Sequence, residues 1–145
     1  MIKDVIIKKL NKFEDNRGWL SEVWRTDELK NYQPVMVYVS ETKPNIIRGP
    51  HEHKTQSDCF IFIGPGNFEL HLWDKLGAHE ILNVGEDNPT LVVVPPGIVH
   101  GYKNISSANA LSINLPNALY KGRKKAEEID EIRWETDPNS PYKIS

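Results

Sequence analysis

Residues 59–73 read CFIFIGPGNFELHLW. Two apolar segments, residues 59–63 and 68–73, are separated by Gly-Pro-Gly-Asn, a combination typical of turns. In the second segment Phe68, Leu70 and Leu72 occupy alternate positions, so they fall on one face of an extended chain. The pattern therefore predicts a strand, a tight turn and a half-buried antiparallel strand.

Similar segments follow one another along the chain at a spacing of roughly 8–12 residues. Further apolar or β-branched runs cover residues 5–7, 20–24, 35–39, 80–82, 91–94 and 110–114. Turn-forming residues separate these runs at 16–18, 43–45, 87–89 and 95–97. Only residues 27–32 and 123–132 have a helix-like spacing of apolar residues. We therefore predict an all-β fold with a short C-terminal helical segment.

Length and cysteine content favour one domain in a reducing compartment. A protein of 145 residues can bury about two-thirds of its surface, so we expect residues 1–145 to form a single domain. Cys59 has no partner for an internal disulfide and is expected to be a buried, unreactive thiol, which fits a cytoplasmic protein. The apolar run at residues 5–7 is too short for a signal peptide or a membrane span, so no membrane partner is expected.

The charge balance argues against a nucleic acid as partner. The chain has 18 Lys+Arg and 20 Asp+Glu, a net charge of -2, whereas nucleic-acid backbones are bound by clustered cations. The longest basic cluster comprises Lys121, Arg123, Lys124 and Lys125, and acidic residues follow it. We interpret this run as a solvated face.

The histidines are the strongest candidates for chemistry. His51 and His53 are two residues apart, so in an extended chain both point to the same side, about 6.6 Å apart. Arg48 precedes this pair, and His100 lies at the end of another predicted strand. Several imidazoles beside an arginine indicate a functional site.

Two motifs around these histidines resemble those of the cupin superfamily. The first comprises residues 49–53 followed by Asp58 and Gly64, with Asp58 where cupins usually have Glu. The second comprises residues 95–100 together with Asn104. The resemblance implies a double-stranded β-helix, or jelly roll, whose mouth holds the ligand.

A narrower resemblance covers nearly the whole chain. Blocks at residues 13–22, 47–51, 96–102 and 132–138 occur in the order found in dTDP-4-dehydrorhamnose 3,5-epimerases. The resemblance implies an isomerase of a dTDP-linked 4-keto-6-deoxy sugar in polysaccharide biosynthesis, without a metal cofactor. It also implies that His51 is the catalytic base and that Arg48 contacts the nucleotide sugar.

Elementary chemistry supports these two roles. A proton next to a ketone is weakly acidic, so its removal needs a base near neutral pKa and a cation that stabilises the enolate. Histidine titrates near neutral pH, and arginine stays charged throughout. The remaining candidates for a second acid or base, or for substrate binding, are His53, His100, Arg17, Tyr102 and Asn114.

The identity of the acid separates two reactions. The epimerases return the proton with a Tyr on a late strand, where this chain has Asn114, and they pair the base with an Asp in a C-terminal extension that has no counterpart here. Residues 48–54 also resemble the dTDP-4-keto-6-deoxyglucose 3,4-ketoisomerases, which use a Tyr on the preceding strand. Tyr38 matches that Tyr and is our candidate acid, so 3,4-ketoisomerisation stays open beside epimerisation.

Two other classes of protein also fit the residues. A metal-binding cupin could hold a divalent transition metal with His51, His53, Asp58 and His100. A nucleotide-sugar-binding cupin without turnover would need only Arg48, aromatic walls and polar loops. We also expect the protein to be a homodimer, by the family resemblance and because residues 5–7 could join the sheet of a neighbouring copy.

Overall fold

The computed structural model describes all 145 residues and consists almost entirely of β-strands. In chain order the strands are β1 Ile6–Lys9, β2 Phe13–Asp15, β3 Gly18–Leu20, β4 Tyr38–Thr42, β5 Ile47–Glu52, β6 Asp58–Phe62, β7 Asn67–Trp73, β8 His79–Gly85, β9 Thr90–Val94, β10 Val99–Asn104, β11 Ala110–Asn114 and β12 Ile132–Arg133. Two 3-10 helices, Arg123–Lys125 and Trp134–Thr136, complete the regular structure. No helix has the length and apolar content that crossing a bilayer requires.

The strands form two five-stranded antiparallel sheets, as predicted for an all-β jelly roll. The first sheet has the order β1-β9-β6-β11-β4 and the second β12-β5-β10-β7-β8, while β2 and β3 form a separate hairpin. Apolar side chains of both sheets meet in one core, with Phe60 and Phe62 from β6 against Leu70 and Leu72 from β7. The alternation predicted for residues 68–73 thus places three apolar residues in this core.

The continuous apolar run at residues 59–63 reflects burial on both faces of β6. Its other face, with Cys59 and Ile61, packs in a second core cluster that includes Leu29 and Tyr32. Those two residues belong to the segment predicted to be helical at 27–32, which instead forms turns over residues 26–31. Its apolar residues serve to cover the sheet, and this packing requires no helix.

The C-terminal segment predicted to be helical contains no α-helix. Residues 123–132 contain only one three-residue 3-10 helix before the chain becomes extended in β12. Tertiary contacts outweigh the weak helical spacing, because Ile132 and Arg133 pair with β5 and Asp130 accepts main-chain hydrogen bonds from the loop after β5. This pairing places the charged segment that precedes β12 beside β5.

An irregularity between β5 and β10 turns Arg48 and His51 to the same side. His51 pairs with His100, but Arg48 pairs with Tyr102, so β5 advances three residues while β10 advances two. Residues three apart on a regular strand point to opposite faces, and a bulge removes that opposition. Gly49 lies inside the bulge with a φ of 81°, and an added Cβ there would lie 2.7 Å from the carbonyl oxygen of His100.

We predict that Gly49→Ala destabilises the protein more than Gly97→Ala. Gly97 has the same φ of 81° but no heavy atom within 4 Å of an added Cβ, so its substitution measures left-handed strain alone, about 1–2 kcal/mol. Gly49→Ala adds a clash with the main chain and should cost about 2 kcal/mol more. Urea unfolding of the two variants tests this, and equal losses would contradict the close approach at Gly49.

Candidate functional site

A cleft opens at the edge where β4, β5 and β12 meet. It consists of two adjoining cavities of 430 and 840 Å³. Both are lined by the same five residues, which are Tyr38, Arg48, His51, Glu131 and Arg133. The two cavities thus share part of their walls, and their volumes are in the range of small-molecule sites.

The structure brings the three candidate histidines together beside this cleft. The ring centroid of His51 lies 5.4 Å from that of His53 and 4.5 Å from that of His100. His51 and His53 line the cleft, as their spacing predicts, whereas His100 lies beneath them and is 1% exposed. His100 therefore cannot reach a ligand, and its predicted role as a second acid or base is not supported.

The carboxylate of Asp58 is the centre of a buried hydrogen-bond network. Its Oδ2 atom lies 3.0 Å from Nε2 of His53 and 3.1 Å from Nε2 of His100, while Oδ1 accepts from Gln56 and Asn114, each at 2.9 Å. Burial by itself raises the pKa of Asp58, but the hydrogen bonds from the two histidines outweigh it and hold this pKa well below its usual range. Asp58 is thus a fully bonded anion.

His53 is held as an imidazolium. One ring nitrogen faces the Asp58 carboxylate and the other, Nδ1, faces the main-chain oxygen of Asp130. Both partners are acceptors, so both nitrogens must carry a proton to donate to them. Burial alone would lower the pKa of His53, but the hydrogen bond and charge of Asp58 outweigh it and raise this pKa to about 8.

His51 has the opposite protonation state. Burial, together with the neighbouring His100 and His53 rings, lowers the pKa of His51 to about 2. Its imidazole is therefore neutral at physiological pH and keeps a lone pair. Nδ1 of His51 lies 3.6 Å from Oε1 of Glu131, which leaves Nε2 as the nitrogen available to a ligand.

Glu131 is a site residue that sequence reasoning missed. It belongs to the acidic part of the charged run, which carries no motif, and it reaches His51 only because β12 pairs with β5. Asp130, next to it, fixes this position by accepting hydrogen bonds from the main-chain N–H groups of residues 54–56. Only a knowledge of this long-range pairing could have identified Glu131.

Asn114 orients the hydroxyl of Tyr38. The Asn114 Oδ1 atom accepts from the N–H of Cys59 at 2.9 Å, so the amide nitrogen must face Asp58 and the Tyr38 oxygen, the latter at 2.8 Å. Since that amide donates to the Tyr38 oxygen, the proton of Tyr38 must point elsewhere. Burial and the charge of Asp58 raise the pKa of Tyr38 to about 12, so Tyr38 faces the cleft as a protonated acid.

Three residues predicted to bind substrate lie elsewhere or are already engaged. Asn114 is 2% exposed and does not line the cleft, since its amide is used by the network. Tyr102 lines the smaller cavity, but its ring packs among core phenylalanines and its hydroxyl bonds to Ser112 at 3.0 Å. Arg17 is ion-paired with Asp15 in the turn of the β2–β3 hairpin, and the structure does not bring it to the cleft.

Arg48 is the fixed cation of the cleft. Its Nε donates to Oγ1 of Thr42 at 2.8 Å, and Nη2 donates to the main-chain oxygen of Glu41 at 2.6 Å. Both acceptors are uncharged, so the guanidinium keeps its positive charge for a ligand. Arg48 therefore presents a positive charge to the cavity that His51 and Tyr38 also line.

The possible metal ligands are close together, but their lone pairs are in use. Donor atoms of His51, His53, Asp58 and His100 lie within 4.8 Å of one another. The Nε2 atoms of His53 and His100 are directed at Asp58, whose oxygens already face four donors. A metal ligand must offer a free lone pair, so a metal could bind here only if the protons that His53 and His100 share with Asp58 were released.

Comparison with known proteins identifies the family. Residues 13–127 match the model of the family described as "Polysaccharide biosynthesis C-terminal domain". The chain belongs to this family. A curated relative, "Probable low-salt glycan biosynthesis epimerase Agl13" of Haloferax volcanii, is 32% identical over 135 residues, which are 88% of this chain and 86% of that protein.

Solved structures confirm the fold of this polysaccharide biosynthesis domain. A dTDP sugar isomerase from Desulfovibrio desulfuricans aligns with a TM-score of 0.82 and 19% identity over 97% of this chain and 90% of that chain. The sugar 3,4-ketoisomerase QdtA of Thermoanaerobacterium thermosaccharolyticum, in complex with TDP, aligns with a TM-score of 0.72 and 19% identity over 92% and 90% of the two chains.

We predict that the stability of this polysaccharide biosynthesis domain falls as pH rises from about 6.5 to 8. His53 has a higher pKa folded, about 8, than unfolded, so its contribution is complete below pH 6.5 and is lost through pH 8. The loss should be about 2 kcal/mol. Asp58→Asn should lower the pKa of His53 and flatten this slope. Urea unfolding against pH and NMR titration of the ring check both, and an unchanged His53 titration in the variant would contradict the ion pair.

Proposed function

We propose that the protein is an isomerase that moves a proton next to the ketone of a nucleotide-activated 4-keto-6-deoxy sugar, in the manner of a dTDP-4-dehydrorhamnose 3,5-epimerase. One observation carries the proposal: a neutral His51 and a protonated Tyr38 line one cleft with the cationic Arg48. The names of the similar proteins, a glycan biosynthesis epimerase and a dTDP sugar isomerase, support the same reaction class.

The proposed reaction needs only the side chains of the cleft. Nε2 of His51 takes the proton from the carbon next to the ketone, and the electron pair of the broken C–H bond moves to the ketone oxygen. Arg48 stabilises the enolate that results. Tyr38 donates a proton as the enolate collapses, and solvent later restores the protonation of both residues.

Glu131 supports the base in this scheme. The pKa of His51, about 2 without substrate, is far below the near-neutral value that a base needs, so the proposed reaction requires this pKa to rise when substrate binds. The carboxylate 3.6 Å from Nδ1 favours that rise, because it stabilises the imidazolium that forms when His51 takes the proton. In this proposal Glu131 performs the task that the epimerase resemblance assigns to an Asp in a C-terminal extension. The charge partner of the base therefore comes from a segment that pairs with the same strand as the base itself.

A second candidate is 3,4-ketoisomerisation of the same class of substrate. The position of Tyr38 on β4, the strand before the one that carries His51, favours it. The two reactions differ in the carbons that exchange protons with solvent, which are C3 and C5 for the epimerase and C3 and C4 for the ketoisomerase. A catalytically silent nucleotide-sugar-binding protein is the outcome if no exchange occurs.

We further propose a cytoplasmic homodimer that works without metal. Exposed apolar side chains on the β2–β3 hairpin, Phe13 and Leu20, and Val39 on the edge strand β4 are surfaces that a second copy could cover. The engagement of His53, Asp58 and His100 with one another supports the absence of a metal cofactor. Sedimentation and elemental analysis of the purified protein address the two points.

We predict that His51→Asn abolishes exchange of solvent deuterium into dTDP-4-keto-6-deoxyglucose, a loss of about 10³-fold or more, because the base is removed. His79→Asn is the control, since His79 is exposed and lies outside the cleft. NMR of the labelled sugar gives both the rate and the labelled carbons. Exchange that persists in the variant removes His51 from the mechanism, and exchange that stops after chelation of metals contradicts a metal-free reaction.

We predict that Glu131→Gln lowers kcat by about 10- to 100-fold and leaves KM nearly unchanged. The carboxylate stabilises the imidazolium that forms during the reaction and makes no proposed contact with substrate. Glu135→Gln is the matched control, because Glu135 lines the smaller cavity but has no contact with His51. Steady-state kinetics measure the split, and an equal effect of both substitutions would argue against a specific role for Glu131.

A further inference from the structure

One wall of the larger cavity is basic. Lys121, Lys124 and Lys125 line it, and we refer to these three residues as the lysine wall. Arg123 belongs to the same turn of chain but does not line the cavity. The sequence pattern predicts a solvated face at residues 121–125. In the structure the three lysines of this run line the cleft, and its arginine does not.

None of the three ammonium groups of the lysine wall forms an ion pair, although the Glu127 carboxylate packs against Gly122 in the same turn. Two of the four carboxylates in the cavity are engaged elsewhere, because Glu131 pairs with Arg133 and Asp130 accepts hydrogen bonds from main-chain N–H groups. Glu127 and Glu128 remain, so the wall keeps an excess of positive charge towards the cavity.

The backbone of the lysine wall is held in a conformation that lysine rarely adopts. The φ angles of Lys121, Lys124 and Lys125 are 55°, 55° and 58°, all in the left-handed region. Residues with a Cβ are disfavoured there, and strained backbone of this kind concentrates at ligand-binding segments. Glycine or asparagine would satisfy the local geometry better, so local folding does not account for three lysines at these positions.

We propose that the lysine wall binds the diphosphate group of the nucleotide sugar. The proposal rests on the proposed function, since it assigns one part of that substrate to one part of the cleft. The smaller cavity, with Tyr38, Arg48 and His51, then holds the keto sugar, and the diphosphate lies in the adjoining larger cavity. Three lysine cations in five residues suit a group that carries two adjacent phosphates, which lysines bind as point charges.

The test compares two variants of the full chain by calorimetry with TDP and with thymidine. The triple substitution Lys121→Asn, Lys124→Asn and Lys125→Asn removes the wall, and asparagine tolerates left-handed backbone. Arg123→Asn changes a charge in the same turn outside the cavity. We expect TDP to bind about 10- to 100-fold more weakly to the triple variant, with little change for Arg123→Asn and none for thymidine in either variant.

The outcomes separate this proposal from the proposed function. Unchanged TDP affinity in the triple variant overturns the diphosphate subsite, and deuterium exchange by the wild-type protein would leave the isomerase intact. The diphosphate subsite is also overturned if Arg123→Asn loses as much as one-third of the TDP affinity that the triple variant loses. Each positive charge in this turn would then contribute equally, whether or not it lines the cavity. Lysine-dependent binding of inorganic pyrophosphate by a wild-type protein that shows no deuterium exchange supports the subsite and contradicts the isomerase.

Discussion

The buried carboxylate of Asp58 is the constraint on which the site depends. A charge 1% exposed would cost several kcal/mol if it were unpaired, and here donors from His53, Gln56, His100 and Asn114 satisfy both oxygens. These donors come from both sheets and from the loop after β5. Moving any one of them would leave part of the charge unsatisfied, so the network fixes the positions of His53 and Gln56, which line the cleft.

The same network separates two neighbouring histidines into different protonation states. His53 bonds directly to Asp58 and is stabilised as a cation, whereas His51 is buried beside other imidazoles without a direct carboxylate hydrogen bond and is stabilised as a neutral base. Environments that move the pKa values of adjacent groups apart are a common way to define acid and base roles. The arrangement explains why the His-x-His pair need not contribute two equivalent groups to the proposed reaction.

Local periodicity predicted what depends on local geometry, and long-range pairing determined the rest. The all-β class and the common direction of His51 and His53 follow from a two-residue repeat. Arg48 shares their cleft only through a bulge set by pairing with β10, and Glu131 arrives through β12, so neither position was derivable from spacing. The helical prediction for residues 123–132 failed for the same reason.

The pairing of β4 with β11 explains how an acid can be present although Asn114 replaces the Tyr of the epimerase pattern. Tyr38 is the cross-strand partner of Asn114, and such partners have Cβ atoms about 5 Å apart. A phenol on either strand can therefore reach the same region of the cleft. With the phenol on β4, the residue left on β11 no longer needs to be an acid, and its amide instead binds the oxygen of Tyr38 and connects it to Asp58. The proposed reaction requires an acid at one position in the cleft, and the paired strands β4 and β11 offer two sequence positions for it.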